Sequence, residues 1–343
     1  MTRHSLIFTA PKTIAIVKET LPQLQAKEVL VKAEVSAISA GTELLIYRGE
    51  APDELPADET IASLRNGTLR FPLKYGYAVV GRVNNIGASV DPSWLGRRVF
   101  VFHPHESHFV AQINELHPVP ENISAECAVF LPSMETAVSM LMDGRPTIGE
   151  QVVIFGQGTI GLLTTALLAH LPLTTLVTVD AHQLRRDWSI KWGAQLSLDP
   201  NEPKLRNKLL TLLHKESGPS GIDLAIELSG HPKALEQAIG VTGPNGRVLI
   251  GSWYGQRRVN LHLGGEFHRS GIKIISSQVS HLAPQWSGRW TKARRLQVTW
   301  EMLKQLQPTT LITHRIPFAE APSAYGLLNN EPETAGQVIL RYD

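Results

Sequence analysis

Cysteine is nearly missing from this chain of 343 residues, and Cys127 stands alone. A single thiol excludes an intramolecular disulfide and any cysteine-rich metal centre. It sits in the apolar run Ser124-Ala-Glu-Cys-Ala-Val-Phe-Leu131, where a cysteine acts as a small hydrophobe rather than a nucleophile. Net charge is missing too: 33 Lys and Arg face 31 Asp and Glu, so the overall field calls for neither nucleic acid nor an anionic membrane. A small, mostly neutral molecule is the expected partner. With 43% hydrophobic and 19% charged residues, the chain is globular and long enough for two domains. No apolar leader is visible, because Met1-Thr-Arg-His-Ser runs straight into a strand-like pattern, and a cytoplasmic location is expected. Charge also disappears between Glu150 and Asp180, a stretch long enough to cross a bilayer. Glycines, threonines, His170 and Pro172 interrupt it and no basic flank follows, so two buried strands with a helix between them are expected instead.

That uncharged stretch carries the strongest motif. Gln151-Val-Val-Ile-Phe-Gly-Gln-Gly-Thr-Ile-Gly161 is an apolar run ending in glycines at G-x-G-x-x-G spacing. Gly156 permits a sharp turn, Gly158 lets backbone approach a pyrophosphate, and Gly161 lets the new helix lie close on the strand. The amides of Thr159 and Ile160 open that helix and face the anion. A second apolar run, Leu176-Val-Thr-Val-Asp180, ends in an acid nineteen residues after Gly161. A dinucleotide-binding unit places its ribose-binding carboxylate there.

The chain begins β-rich. Leu6–Val17 and Glu28–Val35 are strand-like, with Pro22 in the loop between them. A Pro- and Asp-rich segment from Glu50 to about Thr60 is expected as an exposed loop, and strand returns at Phe71–Val83, Gly96–Phe102 and His108–Gln112. Beyond about residue 120, strands and helices alternate, the mark of a parallel sheet with crossover helices. Strands are expected at 194–198, 222–228, 246–252 and 272–277, and helices from about Pro203 to Lys215, Pro232 to Ile239 and Thr291 to Leu306. The fold class is therefore α/β. Expected boundaries are 1–120 for a β-rich domain, 121–278 for a doubly wound nucleotide domain, and 279–343 for a return to the first.

This order resembles the medium-chain dehydrogenase/reductase superfamily, the zinc alcohol dehydrogenase-like proteins. The resemblance rests on Ala40-Gly-Thr-Glu43, on Gly76-Tyr-Ala78 with Gly81 and Val83, on Gly96-Arg-Arg-Val99, on the glycine turn, and on Leu311-Ile-Thr-His-Arg-Ile-Pro-Phe318. Ser39-Ala-Gly-Thr-Glu43 is most similar to the branch that includes bacteriochlorophyllide a dehydrogenase. The resemblance implies a GroES-like catalytic domain, a Rossmann domain, hydride transfer with a nicotinamide coenzyme, and a homodimer paired through the last Rossmann strand.

Where the family keeps zinc ligands, Ala40 replaces the first Cys and Tyr77 the His, Ser133 lies near the position of the second Cys, and the four-cysteine structural lobe is absent. Neither family zinc is expected. His103, His105 and His108 are more simply pocket or surface histidines than a metal site. Thr42 holds the family's proton-relay hydroxyl position, and Tyr77 is placed by alignment where the metal would be. Both are the expected catalytic residues, beside the plainer possibilities that Thr42 caps a turn and Tyr77 fills space. Glu43 is expected in a structural ion pair, and Tyr47 and Trp253 as walls of the cleft. Thr136, Ser229, Gly251 and Ser252 are implied as coenzyme neighbours. Asp180 favours NAD by accepting from a ribose hydroxyl and repelling a 2′-phosphate. His182, Arg185 and Arg186 keep NADP open. Arg289, Lys292, Arg294 and Arg295, beside Trp286 and Trp290, form either a solvated face or a hold for an acidic substrate tail.

The expected function is a zinc-independent NAD(P)-dependent oxidoreductase acting on an alcohol/carbonyl pair. Reduction of an activated C=C bond, as in quinone and enoyl reductases, stands beside it, as does a non-catalytic nucleotide-binding redox sensor.

Overall fold

In the computed structural model, which describes residues 2–213 and 221–342, the first apolar alternation makes two strands. β1 (Thr2–Ala10) and β2 (Thr13–Thr20) form an antiparallel hairpin. The stretch expected as continuous from Leu6 to Val17 turns at Pro11-Lys12, where Lys12 adopts φ 59°. Lysine seldom signals that left-handed conformation. β3 (Glu28–Ala37), α1 (Ala40–Tyr47), β4 (Val79–Ile86), β5 (Arg98–Val101), β6 (His108–Gln112), β7 (His117–Pro118) and α2 (Ala125–Ala128) follow. The strand expected to start at Phe71 begins only at Val79.

α3 (Leu131–Gly144) leads into an alternating series: β8 (Gln151–Phe155), α4 (Thr159–Leu168), β9 (Thr175–Val179), α5 (Gln183–Lys191), β10 (Leu196–Leu198), α6 (Leu205–Leu212), β11 (Ile222–Glu227), α7 (Pro232–Val241), β12 (Thr242–Ile250) and β13 (Lys273–Ser276). The helix expected from about Pro203 to Lys215 is thus α6, and positions 214 and 215 lie outside the described residues. α8 (Lys292–Leu306), β14 (Ile312–Pro317), α9 (Ala321–Asn330) and β15 (Gln337–Arg341) complete the chain. Among the described residues, no helix is long and apolar enough to cross a membrane.

The chain divides into two compact units, one made of the residues up to Pro132 with those from Trp300 onward, the other Ser133–Thr299. In the first, the sheet order is β14-β15-β3-β4-β5-β7, with β6 also on β3. β15 pairs with β3 through Leu340 and Ser36, so the end of the chain completes this sheet. Its core gathers Phe8, Ile38, Ile46, Tyr325 and Leu340 on one side and Val29, Val83 and Phe109 on another.

In the second unit, six parallel strands run in the order β10-β9-β8-β11-β12-β13. Along β8, Val152 and Ile154 join one core cluster while Val153 and Phe155 join another. Successive side chains point to opposite faces, and burial on both faces is why the strand reads as a continuous apolar run. The strand order reverses between β8 and β11, the point where open α/β sheets bind ligands beyond their carboxyl ends.

Candidate active site

The glycine turn lies at that reversal. β8 ends at Phe155 and the chain turns at Gly156 with φ 95°. A Cβ on Gly156 would lie 2.5 Å from the amide nitrogen of Ser229, and one on Gly161 would lie 2.1 Å from the Gly156 carbonyl oxygen. Those two glycines are required by the chain's own packing. Gly158 is different: it is the residue before α4, and nothing lies within 4 Å of its missing Cβ. The first turn of α4, Thr159-Ile160-Gly161, directs the positive end of its helix dipole toward that open space.

Asp180, 7% exposed, follows β9 directly. Its Oδ2 accepts the Gln157 N–H at 2.7 Å and its Oδ1 accepts the His182 N–H at 2.8 Å. The acid is thereby fastened to the glycine turn, and each oxygen retains capacity for a further donor. Arg185 lies near enough for the Asp180 charge to oppose the burial that lowers the guanidinium's pKa. Arg186 instead holds backbone, donating to the carbonyls of Asp180 at 2.7 Å and Ala181 at 2.9 Å.

At the end of β11 a fully buried carboxylate, Glu227, organises the neighbouring loops. Its Oε1 accepts from the Ser229 N–H at 2.7 Å, the Ser229 hydroxyl at 2.5 Å and the Gly230 N–H at 3.1 Å, while its Oε2 accepts from Tyr254 at 2.7 Å. The Ser252 hydroxyl oxygen accepts the Gly230 N–H at 2.9 Å. Ser229 and Ser252 are thus drawn together. A Cβ on Gly251 would meet Met140 Sδ at 2.7 Å, so its smallness serves packing against α3. Thr136 is half-buried on the same helix. Glu227 was not among the expected residues, because an acid ending an apolar strand has no spacing signal of its own.

In the first unit, Tyr77 and Thr42 come together around a third hydroxyl. The Tyr77 phenol donates to Ser39 Oγ, and the Thr42 side chain lies close enough to oppose the rise in the phenol's pKa. Ser39 stands immediately before α1, where a serine ordinarily caps the first turn. Its side chain makes no cap hydrogen bond here. Burial first, against the opposing Ser39 hydrogen bond and the nearby Thr42 side chain, raises the phenol's pKa above its usual value. The proton therefore stays on Tyr77 through neutral pH.

Glu43, fully buried, accepts the Ser39 N–H at 2.8 Å and fixes the backbone under that trio. Its other oxygen accepts from Tyr325 and lies 3.1 Å from His105 Nε2. His105 Nδ1 is 2.7 Å from Ser36 Oγ, which is 2.9 Å from the Tyr342 hydroxyl. Glu43 was expected in a structural ion pair, and its partners are His105, at ion-pair distance, together with a phenol and an amide. Tyr47 is core, packed at 5.7 Å on Tyr325, rather than a cleft wall, while Trp253 is 37% exposed. The three histidines separate: His103 stacks on Phe109 at 3.9 Å, His105 joins Glu43, and His108 lies 3.2 Å from the Ser107 hydroxyl. Cys127 is wholly buried and its pKa is pushed up to about 11 by burial, so it is no nucleophile.

Comparison with known proteins agrees with this arrangement. The family model for zinc-binding dehydrogenases matches residues 159–296. A D-guloside 3-dehydrogenase of Escherichia coli (strain K12) is 27% identical over 339 residues, covering 93% of this chain and 94% of that one. An L-threonine 3-dehydrogenase of Xanthomonas oryzae pv. oryzae is 23% identical over 97% of both chains. A structure described as a short chain alcohol dehydrogenase of E. coli CFT073, complexed with NADH, superposes with TM-score 0.79 at 19% identity over 99% of both chains. The chain is thus similar to proteins of the medium-chain dehydrogenase/reductase superfamily over nearly its whole length, and it shares their fold.

The superfamily's catalytic zinc does not fit the donors present. Ala40 offers no ligand atom, and the Tyr77 phenol is protonated and committed to Ser39. Among the described residues, no group of three or more His, Cys, Asp or Glu is arranged to hold a metal ion. The dinucleotide fits better, since the open space at Gly158 is one that a Cβ would fill and the acid beside it keeps acceptor capacity.

Proposed function

We propose that this protein is a zinc-independent, NAD-dependent oxidoreductase that moves a hydride between nicotinamide and an alcohol/carbonyl pair. The observation that carries the proposal is Gly158, open to space at the start of α4, beside an Asp180 carboxylate tied to the Gln157 N–H. Bound coenzyme supplies or accepts the hydride. The chain's own residues hold it: the Gly158–Gly161 turn receives the pyrophosphate, and Asp180 accepts from the ribose and disfavours a 2′-phosphate. Arg185 stands where it would favour NADP, but the neighbouring carboxylate offsets its charge. Thr136, Ser229, Gly251 and Ser252 complete the proposed contacts.

Tyr77, Thr42 and Ser39 supply the proton. On binding, the Tyr77 O–H turns from Ser39 Oγ to a substrate oxygen and surrenders its proton as that oxygen gains charge, which needs no metal. Ser39 and Thr42 then hydrogen-bond the phenolate. These hydroxyls favour an alcohol/carbonyl pair over C=C reduction, because their donors suit an oxygen that becomes an alkoxide. The Ser39–Glu43 run supports placement near the bacteriochlorophyllide a dehydrogenase branch. β13, an edge strand with Ile274 36% exposed, supports a homodimer, and light scattering that found only monomer would sink that part.

The test is titration with NADH by fluorescence, followed by turnover of a panel of aldehydes, ketones, quinones and enones. Saturable binding with carbonyl reduction is expected. Absence of binding refutes the proposal, turnover of enones or quinones alone favours C=C chemistry, and binding without turnover favours the sensor.

A further inference from the structure

A second grouping lies in the Ser133–Thr299 unit, on the segment that leaves the carboxyl end of β13. From Phe267 to Trp300 the sequence contains no Asp or Glu, yet it contains Arg269, Lys273, Arg289, Lys292, Arg294 and Arg295. In a chain whose charges nearly cancel overall, this is a local excess of one sign. Among the described residues, Arg295 alone of these six forms an ion pair. Buried to 1% exposure, it donates from Nε and Nη2 to Glu135 Oε1 at 3.0 and 2.8 Å, and its remaining N–H groups reach the carbonyls of His281, at 3.3 Å, and Val279. Arg295 therefore anchors the segment to α3.

On this anchored segment two guanidinium groups are held over indoles. Arg289 lies 5.3 Å from the Trp286 ring centre and Arg294 lies 4.2 Å from that of Trp290, and the two indoles meet edge to face at 6.2 Å. Arg294 spends one N–H on the Arg289 carbonyl. Among the described residues, Arg289, Lys292 and Arg294 form no ion pair. The Trp286 indole N–H is buried without a hydrogen-bond partner. Stacking orients a guanidinium before a ligand arrives, so less side-chain entropy is lost when its remaining N–H groups grip an oxyanion.

We infer that Arg289, Lys292 and Arg294 form a receptor for an oxyanion, a carboxylate or phosphate carried by the substrate. Assignment to the substrate rests on the dinucleotide proposal. All strands of this unit are parallel, so their carboxyl ends share one edge. Asp180, on the β9 side of the reversal, takes the adenosine end of the coenzyme, and the reactive end then extends toward β11–β13. The cationic segment follows β13 on that side.

The experiment titrates the full-length protein with inorganic phosphate and, separately, with succinate, following tryptophan fluorescence, and repeats both with an Arg289→Gln/Arg294→Gln variant. NADH is titrated into the same samples. A saturable response to either anion, weakened at least tenfold in the variant while NADH binding is unchanged, is the expected result, and the tighter anion identifies the headgroup. No saturable response in the original protein, or equal affinity in the variant, overturns the receptor. If instead the original protein binds the anion and not NADH, the receptor stands and the dinucleotide proposal fails.

Discussion

Replacing two glycines of one turn separates binding from folding. At Gly158 the missing Cβ meets nothing within 4 Å and the residue has ordinary φ, −67°. Alanine there loses a little as the residue before a helix and gains a similar amount by restricting the unfolded chain, so stability is expected to stay within about 1 kcal/mol. The new methyl occupies the space assigned to the pyrophosphate, and losing one charge-assisted amide contact costs roughly 2–3 kcal/mol, a 30- to 150-fold loss of NADH affinity. At Gly156 the balance reverses. With φ 95° and a Cβ 2.5 Å from the Ser229 amide, alanine is strained and must displace backbone, costing about 3 kcal/mol or more. For a unit of this size the melting point falls by roughly 6–12 °C. Calorimetry with NADH and thermal denaturation of both variants form the assay. A Gly158→Ala protein that binds NADH normally, or a Gly156→Ala protein that melts normally, refutes the reasoning.

Tyr77→Phe is expected to lower kcat by about 10²-fold or more without weakening NADH binding. Because burial raises the Tyr77 pKa, carbonyl reduction should stay level from about pH 6 to 9, while alcohol oxidation, which needs the phenolate, climbs with no plateau below about pH 10; an oxidation plateau near neutrality would contradict this. Asp180→Asn removes the charge that repels a 2′-phosphate, and the NADP/NAD affinity ratio should rise by about tenfold; an unchanged ratio removes Asp180 from coenzyme choice. Burial pushes the His103 pKa down to about 4. Between that value and the unfolded value of about 6.5 the unfolded chain binds the extra proton, so stability falls as pH drops, by about 2 kcal/mol at about pH 5. His103→Phe should flatten the melting point between pH 7 and 5, and equal slopes in both proteins would exclude His103 as the cause.

The second unit was the more legible in the sequence because its signals are local. Apolar runs buried on both faces, the glycine spacing and an acid at strand end each occupy a few adjacent residues, and β8 to β13 follow from them. The first unit depends on distant pairings. Lys12 turns a hairpin without the glycine or asparagine that usually marks one, and irregular backbone from Phe71 to Ala78 has the composition of strand. In the candidate site, Thr42 and Tyr77 were found by position within the family pattern. Ser39 was missed because it has the place and chemistry of a helix cap, and only the folded chain shows its hydroxyl turned to Tyr77. Glu227 and the Glu43–His105–Tyr325 contacts join residues far apart in sequence, and no spacing rule predicts them.

The central claim is that nicotinamide chemistry proceeds here on hydroxyl groups, without zinc. It is tested most directly by NADH-dependent carbonyl reduction after exhaustive chelation, measured with and without added zinc. Equal turnover in both samples is predicted, whereas activity lost on chelation and restored by zinc would contradict the account.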